Sequence, residues 1–232
     1  MIEVENKTVV ITGGSKGLGK VLAQAFKNEG ANVVICSKNQ EEIEIAANEI
    51  GVVAFVADVT KEIEMDNLAQ FAVEKFGQLH IWINNAGVLF SIPKEGYIDM
   101  GEAHAILDVN FFGTVFGARQ ALKQMENFKE GLIINIISSA ALDSSRALLN
   151  KIYAASKWAV NGYTKALRAE SVDSGISIMS VYPGGIQTDL WRNQKPENIN
   201  DYMTPEYVVE KIINNLKQDN PEEELIIKRP IA

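Results

Sequence analysis

Short, mostly β-branched apolar runs recur along the chain: Thr8-Val9-Val10-Ile11, Asn32-Val33-Val34-Ile35, Val52-Val53-Ala54-Phe55-Val56 and Ile81-Trp82-Ile83, then Leu132 to Ile137, Ile176 to Val181 and Leu225-Ile226-Ile227. Most are continuously apolar rather than alternating, which predicts strands covered on both faces, as in a parallel sheet. Between them lie segments of helical period. Leu18, Val21, Leu22, Ala25 and Phe26 share one stripe, as do Ile63, Leu68, Phe71, Ala72 and Phe76. Longer helical segments run from about Glu102 to Met125 and from about Tyr153 to Ser171. This alternation predicts an α/β fold: a doubly wound, mostly parallel sheet of seven strands with helices on both faces. The chain has 232 residues and contains no linker, internal repeat or low-complexity tract, so residues 1–232 read as one domain.

Charge narrows the class of partner. Acidic residues outnumber basic ones 30 to 22, for a net charge of −8, and such a field repels nucleic acid. A single cysteine, Cys36, excludes an internal disulfide and a cysteine-cluster metal site. It reads as a small buried side chain. His80 and His104 lack ligand spacing and read as structural, so no metal is expected. No apolar run approaches the ~18 residues of a membrane span, and the acidic start lacks the build of a signal peptide. The expectation is a cytoplasmic protein that handles small molecules, with no nucleic-acid or membrane partner.

In doubly wound sheets ligands bind beyond the carboxyl ends of the strands, and the informative residues fall there. The first strand runs into Thr12-Gly13-Gly14-Ser15-Lys16-Gly17-Leu18-Gly19, which opens the first helix. Glycines permit tight turns and close approach of a pyrophosphate, and the helix start offers free N–H groups. Gly13, Ser15, Lys16, Gly17, Leu18 and Gly19 are therefore candidate dinucleotide-binding residues. An acidic residue at the end of the second strand commonly holds the ribose of NAD. Cys36-Ser37-Lys38-Asn39 stands there instead. A carboxylate would repel a 2′-phosphate, whereas Lys38 and Lys16 pair with one, so NADP(H) is the preferred cofactor and NAD(H) a possible one. Asp58-Val59 follows the third strand and suits the adenine amino group; Asn84-Asn85-Ala86-Gly87 follows the fourth, where Asn bridges strand ends and Ala-Gly lets a cofactor pass.

The chemical end centres on Tyr153-Ala154-Ala155-Ser156-Lys157. Residues four apart share a helix face, and a neighbouring ammonium lowers the pKa of a phenol toward the working range of an acid or base. Ser138-Ser139 ends the fifth strand and supplies a hydroxyl donor to a carbonyl gaining negative charge. Asn110 lies inside a long helix, where an amide is mildly unfavourable. After the sixth strand, Pro183-Gly184-Gly185-Ile186-Gln187-Thr188 turns sharply and offers backbone groups and a hydroxyl to a carboxamide.

In this order, over nearly the whole chain, these motifs resemble the short, single-domain form of the short-chain dehydrogenase/reductase family. The resemblance implies hydride transfer between NADP(H) and a small carbonyl or alcohol. Tyr153 would be the acid/base, Lys157 would hold the nicotinamide ribose and depress the Tyr153 pKa, and Asn110 would hold a water in the proton relay. Ser139 would polarise the carbonyl, with Ser138 in reserve, because Ala140-Ala141 continues the family pattern. Ser139 stands fourteen residues before Tyr153, where the family has thirteen. Pro183, Gly184, Ile186 and Thr188 would fix the carboxamide. An alternative is a sensor or scaffold that binds NADP(H) without turnover.

Leu89, Phe90, Leu142, Leu148, Leu149, Leu190, Trp191, Tyr202 and Met203 are expected around the substrate, giving a mostly apolar pocket under a lid at 189–204. Small residues (Gly113, Gly117, Ala118, Ala121, Ala154, Ala155, Ala159) beside Phe111, Phe112, Phe116 and Trp158 permit close helix packing. The family resemblance implies a homodimer or homotetramer through these helices.

Overall fold

The structure, a computed structural model, describes residues 1–90, 98–143, 151–191 and 195–230. The elements alternate as expected: β1 (Thr8–Thr12), α1 (Gly17–Asn28), β2 (Asn32–Ser37), α2 (Gln40–Ile50), β3 (Val53–Val56), α3 (Glu62–Phe76) and β4 (Ile81–Asn84). Then follow α4 (Met100–Leu107), α5 (Gly113–Met125), β5 (Gly131–Ile136), α6 (Lys151–Glu170), β6 (Ile176–Pro183), α7 (Pro205–Leu216) and β7 (Glu224–Ile227). The described strands form one seven-stranded sheet in the order β3-β2-β1-β4-β5-β6-β7. Every neighbouring pair is parallel. The winding reverses between β1 and β4, the crevice where such sheets take ligands.

The continuous apolar runs find their reason in two cores. Val9, Ile11, Ile35, Ile83, Ile134 and Val181 face α1, α2 and α7, while Val10, Val34, Trp82, Ile133 and Ile178 face α3, α5 and α6. Alternate side chains of each strand thus enter opposite apolar layers. Caps fix several helix limits. The Asn39 side chain accepts from Glu42 N at the start of α2, and Gly51 ends it at φ 75°. Thr204 and Pro205 open α7. Ile63 departs from its expected stripe and is 65% exposed at the start of α3.

Helix α4 runs into α5 through a π turn at Asp108–Phe112 that carries the buried Asn110. Thr114 Oγ1 donates to the Asn110 carbonyl at 2.9 Å, a side-chain bond inside the widened turn. Hydrophobic spacing read this stretch as one regular helix, since a π turn leaves no mark in such spacing.

A buried polar chain joins the central strands to α6. Trp82 Nε1 donates to Asn84 Oδ1 at 2.7 Å, Asn84 Nδ2 to Asn135 Oδ1 at 2.8 Å, and Asn135 Nδ2 to Thr164 Oγ1 at 2.9 Å. Gly117 of α5 lies against this chain, and a Cβ there would stand 2.2 Å from Asn84 Oδ1 and 2.8 Å from Trp82 Nε1. We expect Gly117→Ala to cost about 1–3 kcal/mol in urea unfolding, because the network cannot yield without losing a bond. Gly162 of α6 is exposed, and a Cβ added there would meet nothing within 4 Å. Gly162→Ala should raise stability by about 0.5–1 kcal/mol in the same assay.

Candidate functional site

A single cavity of about 920 Å³ runs along the carboxyl ends of the strands, from the glycine-rich loop to the tail beyond β7. At one end, Gly13, Ser15, Lys16, Gly17, Leu18 and Gly19 form its wall. Gly13 and Gly17 have φ of +66° and +55°, values that favour glycine. A Cβ at Gly19 would come within 2.2 Å of the Gly13 carbonyl, so the loop folds this tightly only without a side chain there. Lys16 precedes α1 without a side-chain cap. The first N–H groups of the helix are thus free to receive an anion. Glycine cradle, uncapped helix start and flanking lysines together fit the pyrophosphate of a dinucleotide.

Ser37, Lys38, Asp58, Val59, Ala86 and Gly87 continue the wall. Asp58 Oδ1 accepts from Thr60 N at 3.0 Å and from Thr60 Oγ1 at 2.9 Å, which fixes the carboxylate. Asn85 stitches β4 to β1: its Nδ2 donates to the Thr12 and Gly13 carbonyls at 2.9 and 3.2 Å. Thr12 Oγ1 accepts from Asn85 N and Ala86 N, both at 3.1 Å. Sequence reading missed Thr12, whose partners lie 73 and 74 residues away.

Asn84 and Asn110 are absent from the wall. Asn84 is 4% exposed and spends its amide on Trp82 and Asn135. It bridges β4 to β5, the role read from sequence for an Asn at these strand ends, and lies beneath the cavity wall. Asn110 is fully buried; it accepts from Val88 N at 2.8 Å and donates to Val88 O and Ser156 Oγ, both at 3.1 Å. Its side chain holds the segment after β4 against α6.

At the chemical end, Tyr153 and Lys157 both line the cavity from the first turns of α6. Lys157 Nζ donates to the Ile136 carbonyl at 3.0 Å and lies 5.8 Å from the centre of the Tyr153 ring. The Ser138 side chain acts on the Tyr153 phenol and lowers its pKa; Ser138 and the expected Ser139 both line the cavity wall. Ser138 is extended (φ 174°, ψ 151°) and its Oγ accepts from Ala140 N at 3.1 Å, so its proton is free for the phenol oxygen. The chain turns immediately afterwards, in a 3₁₀ turn at Ser139–Ala141 that takes up Ser139.

Electrostatics corrects an expectation. Burial pushes the Tyr153 phenol up to about 12, opposed by the Ser138 hydrogen bond rather than by Lys157. Burial pushes Lys157 down to about 8. Cys36, likewise buried, is pushed up to about 12 and is no reactive thiol.

Further on, Pro183, Gly184, Gly185, Ile186 and Thr188 complete the wall. The segment after them is tied back: Gln187 N donates to the Met203 carbonyl at 2.9 Å, and Gln187 Nε2 to the Asn200 and Tyr202 carbonyls at 3.0 and 2.7 Å. Leu89, Leu190 and Tyr202 line the cavity as expected, while Phe90, Leu142 and Met203 are absent from its wall. Leu148 and Leu149 lie outside the described residues, as does the Trp191 side chain. Three charged residues of the wall escaped sequence reading: Glu42, Lys228 and Arg229. Glu42 pairs with Lys16 at 3.3 Å and accepts from Ser15 Oγ at 3.5 Å. Among the described residues no group of three or more His, Cys, Asp or Glu is placed to hold a metal, and no helix is long and apolar enough to cross a membrane.

Comparison with known proteins agrees with this arrangement. The short chain dehydrogenase family matches residues 7–199, and the chain belongs to that family. It is 38% identical over 194 residues to a diacetyl reductase [(S)-acetoin forming] of Staphylococcus epidermidis, covering 80% of this chain and 74% of the relative. It is 31% identical over 221 residues to an uncharacterized oxidoreductase of Staphylococcus aureus, covering 94% of each. A crystal structure of 3-ketoacyl-(acyl-carrier-protein) reductase from Brucella melitensis, complexed with NADH, superposes with a TM-score of 0.87 at 27% identity, over 97% of each chain. The protein is thus an oxidoreductase of a family that binds a nicotinamide cofactor.

The depressed Lys157 pKa has a thermodynamic signature. Between about 8 and the ordinary lysine value of about 10.4, the unfolded chain binds a proton that the folded chain lacks, so this group's contribution to stability rises with pH. Relative to Lys157→Met, the wild type should gain on the order of 2 kcal/mol between pH 7 and 9.5, read from urea midpoints. Tyr153 is present in both proteins, so its own titration cancels in the comparison.

Proposed function

We propose that the protein is an NADP(H)-preferring carbonyl reductase. Tyr153 and Ser138 beside the buried Lys157, in one cavity with the glycine cradle, carry this reading. When bound, the nicotinamide nucleotide supplies the hydride, losing two electrons as the carbonyl carbon becomes an alcohol carbon. Ser138 donates to the substrate oxygen as negative charge develops there. Tyr153 then gives its proton to that oxygen. A phenol held near 12 is protonated at neutral pH, which supports reduction as the working direction. The activities for which the diacetyl and 3-ketoacyl-(acyl-carrier-protein) reductases are named are both reductions of keto compounds, in keeping with this direction.

For the cofactor, Lys38 has no ion-pair partner among the described residues, and no carboxylate ends β2. Lys16 is shared with Glu42 in an exposed pair, worth about 0–1 kcal/mol and readily exchanged for a phosphate. Val88, Leu89 and Leu190 support a mostly apolar substrate site, with 189–204 as its lid. Trp158 and Phe112, 47% and 45% exposed, support association of copies through α5 and α6, checked by light scattering.

A panel of ketones with NADPH, followed by absorbance, tests the assignment. We expect turnover, with NADPH giving the higher kcat/KM. NADH used at least as efficiently would refute the cofactor preference, and nucleotide binding without any turnover would favour a sensor. Lys38→Gln should lower the NADPH-to-NADH ratio about tenfold or more, and Glu42→Gln should raise it. Ser138→Ala should lower kcat by about 10²–10³, with Ser139→Ala changing it far less. The reverse order would restore Ser139 to the site.

A further inference from the structure

The catalytic cavity ends in two cations. Lys228 and Arg229 follow directly on β7 and line the wall. Neither has an ion-pair partner among the described residues, and Asp189, an acidic residue of the same cavity, pairs with Lys195 at 3.8 Å. Both are exposed; the Ile227 carbonyl just before them accepts from Gly184 N at 3.1 Å, tying the end of β7 to the turn after β6. Arg229 is also placed by stacking: its guanidinium carbon lies 4.7 Å from the centre of the Tyr202 ring. Tyr202 in turn packs on Gly185, where a Cβ would come within 2.5 Å of the ring.

Strand order says which part of a ligand these cations meet. Neighbouring strands lie about 4.8 Å apart, so the end of β7 is roughly 10 Å from the end of β5, where Ser138 stands, and roughly 24 Å from the end of β2, where Lys38 stands. Lys228 and Arg229 are too far from Lys38 to serve the same phosphate. They are near enough to meet a group a few bonds from the reacting carbonyl. The wall nearer the carbonyl includes the apolar Leu89 and Leu190, so a charge on the substrate has its counterpart at this end.

We infer that Lys228 and Arg229 form a subsite for an oxyanion, a carboxylate or a phosphate, carried by the carbonyl substrate. The inference rests on the reductase reading for the identity of the ligand, and it adds a charged end to the mostly apolar pocket expected from sequence. An Arg fixed by stacking presents paired donors to two oxygens of such a group, and the flexible Lys adds a point charge.

Two matched pairs of ketones test it: acetoacetate against methyl acetoacetate, and dihydroxyacetone phosphate against dihydroxyacetone. With NADPH, the wild type should favour the charged member of at least one pair, and which pair tells carboxylate from phosphate. In the Lys228→Gln/Arg229→Gln double variant, the charged-to-neutral ratio of kcat/KM should fall about tenfold or more. An unchanged ratio, or no preference for charge in either pair, overturns the subsite. Binding is read separately by calorimetry on Tyr153→Phe with NADPH present. Saturable binding of a charged ketone, lost on adding the double substitution, supports the subsite even if the wild type reduces no ketone, an outcome that would sink the reductase reading alone. Absence of such binding overturns the subsite while leaving reduction of neutral ketones untouched.

Discussion

Helix α6 docks on the sheet through a polar stripe, and the site depends on it. Tyr153, Lys157, Asn161, Thr164 and Arg168 recur at helical period along one face. Each meets a different point at the ends and middle of β5 and β6. Tyr153 reaches Ser138, and Lys157 the Ile136 carbonyl. Asn161 joins the Ala141 carbonyl to the Tyr182 hydroxyl, Thr164 accepts from Asn135, and Arg168 binds the Ile178 carbonyl and Ser180. Buried polar groups are costly unless satisfied, so one register of helix on sheet is favoured over any slip along the axis. That register sets where the phenol and ammonium emerge into the cavity. Burying Lys157 with the Ile136 carbonyl as its one hydrogen-bond partner among the described residues is unfavourable, as its lowered pKa records; the fold carries that cost at the place where the chemistry needs a desolvated cation.

How much of this was legible depended on whether the signal was local. The strands were legible because both faces of the sheet are apolar, which makes the runs continuous. The glycine loop and the Tyr153–Lys157 pair were legible because their chemistry needs fixed short spacings. The choice between Ser138 and Ser139 was not. Strand alternation stops where the chain turns, and that turn is set by the Ser138 cap on Ala140 N. Asn110 read correctly as an unusual helical amide, yet its π turn and its bonds to Val88 depend on packing between distant segments. Glu42 and the two tail cations had no signal in order along the chain. Glu42 meets Lys16 across 26 residues, and Lys228 and Arg229 reach the cavity only because β7 pairs with β6.

A net charge of −8 concealed a local pattern. Cations gather at the two ends of one cavity, Lys16 and Lys38 beside the glycine loop and Lys228 and Arg229 beyond β7, with Ser138 and Tyr153 between them. On the proposed reading, the order of the sheet sets a direction along the cavity, from nucleotide through carbonyl to the far end of the substrate.

The proposed reduction turns on the proton held by Tyr153. Rapid mixing of NADPH-loaded wild type and Tyr153→Phe with a reducible ketone measures the hydride step directly, with nucleotide affinity read in parallel by fluorescence. A phenol that gives its proton to the substrate requires nucleotide affinity within severalfold of the wild type and a hydride step slowed by about 10²–10⁴. A Tyr153→Phe protein that oxidises NADPH at the wild-type rate would contradict that role.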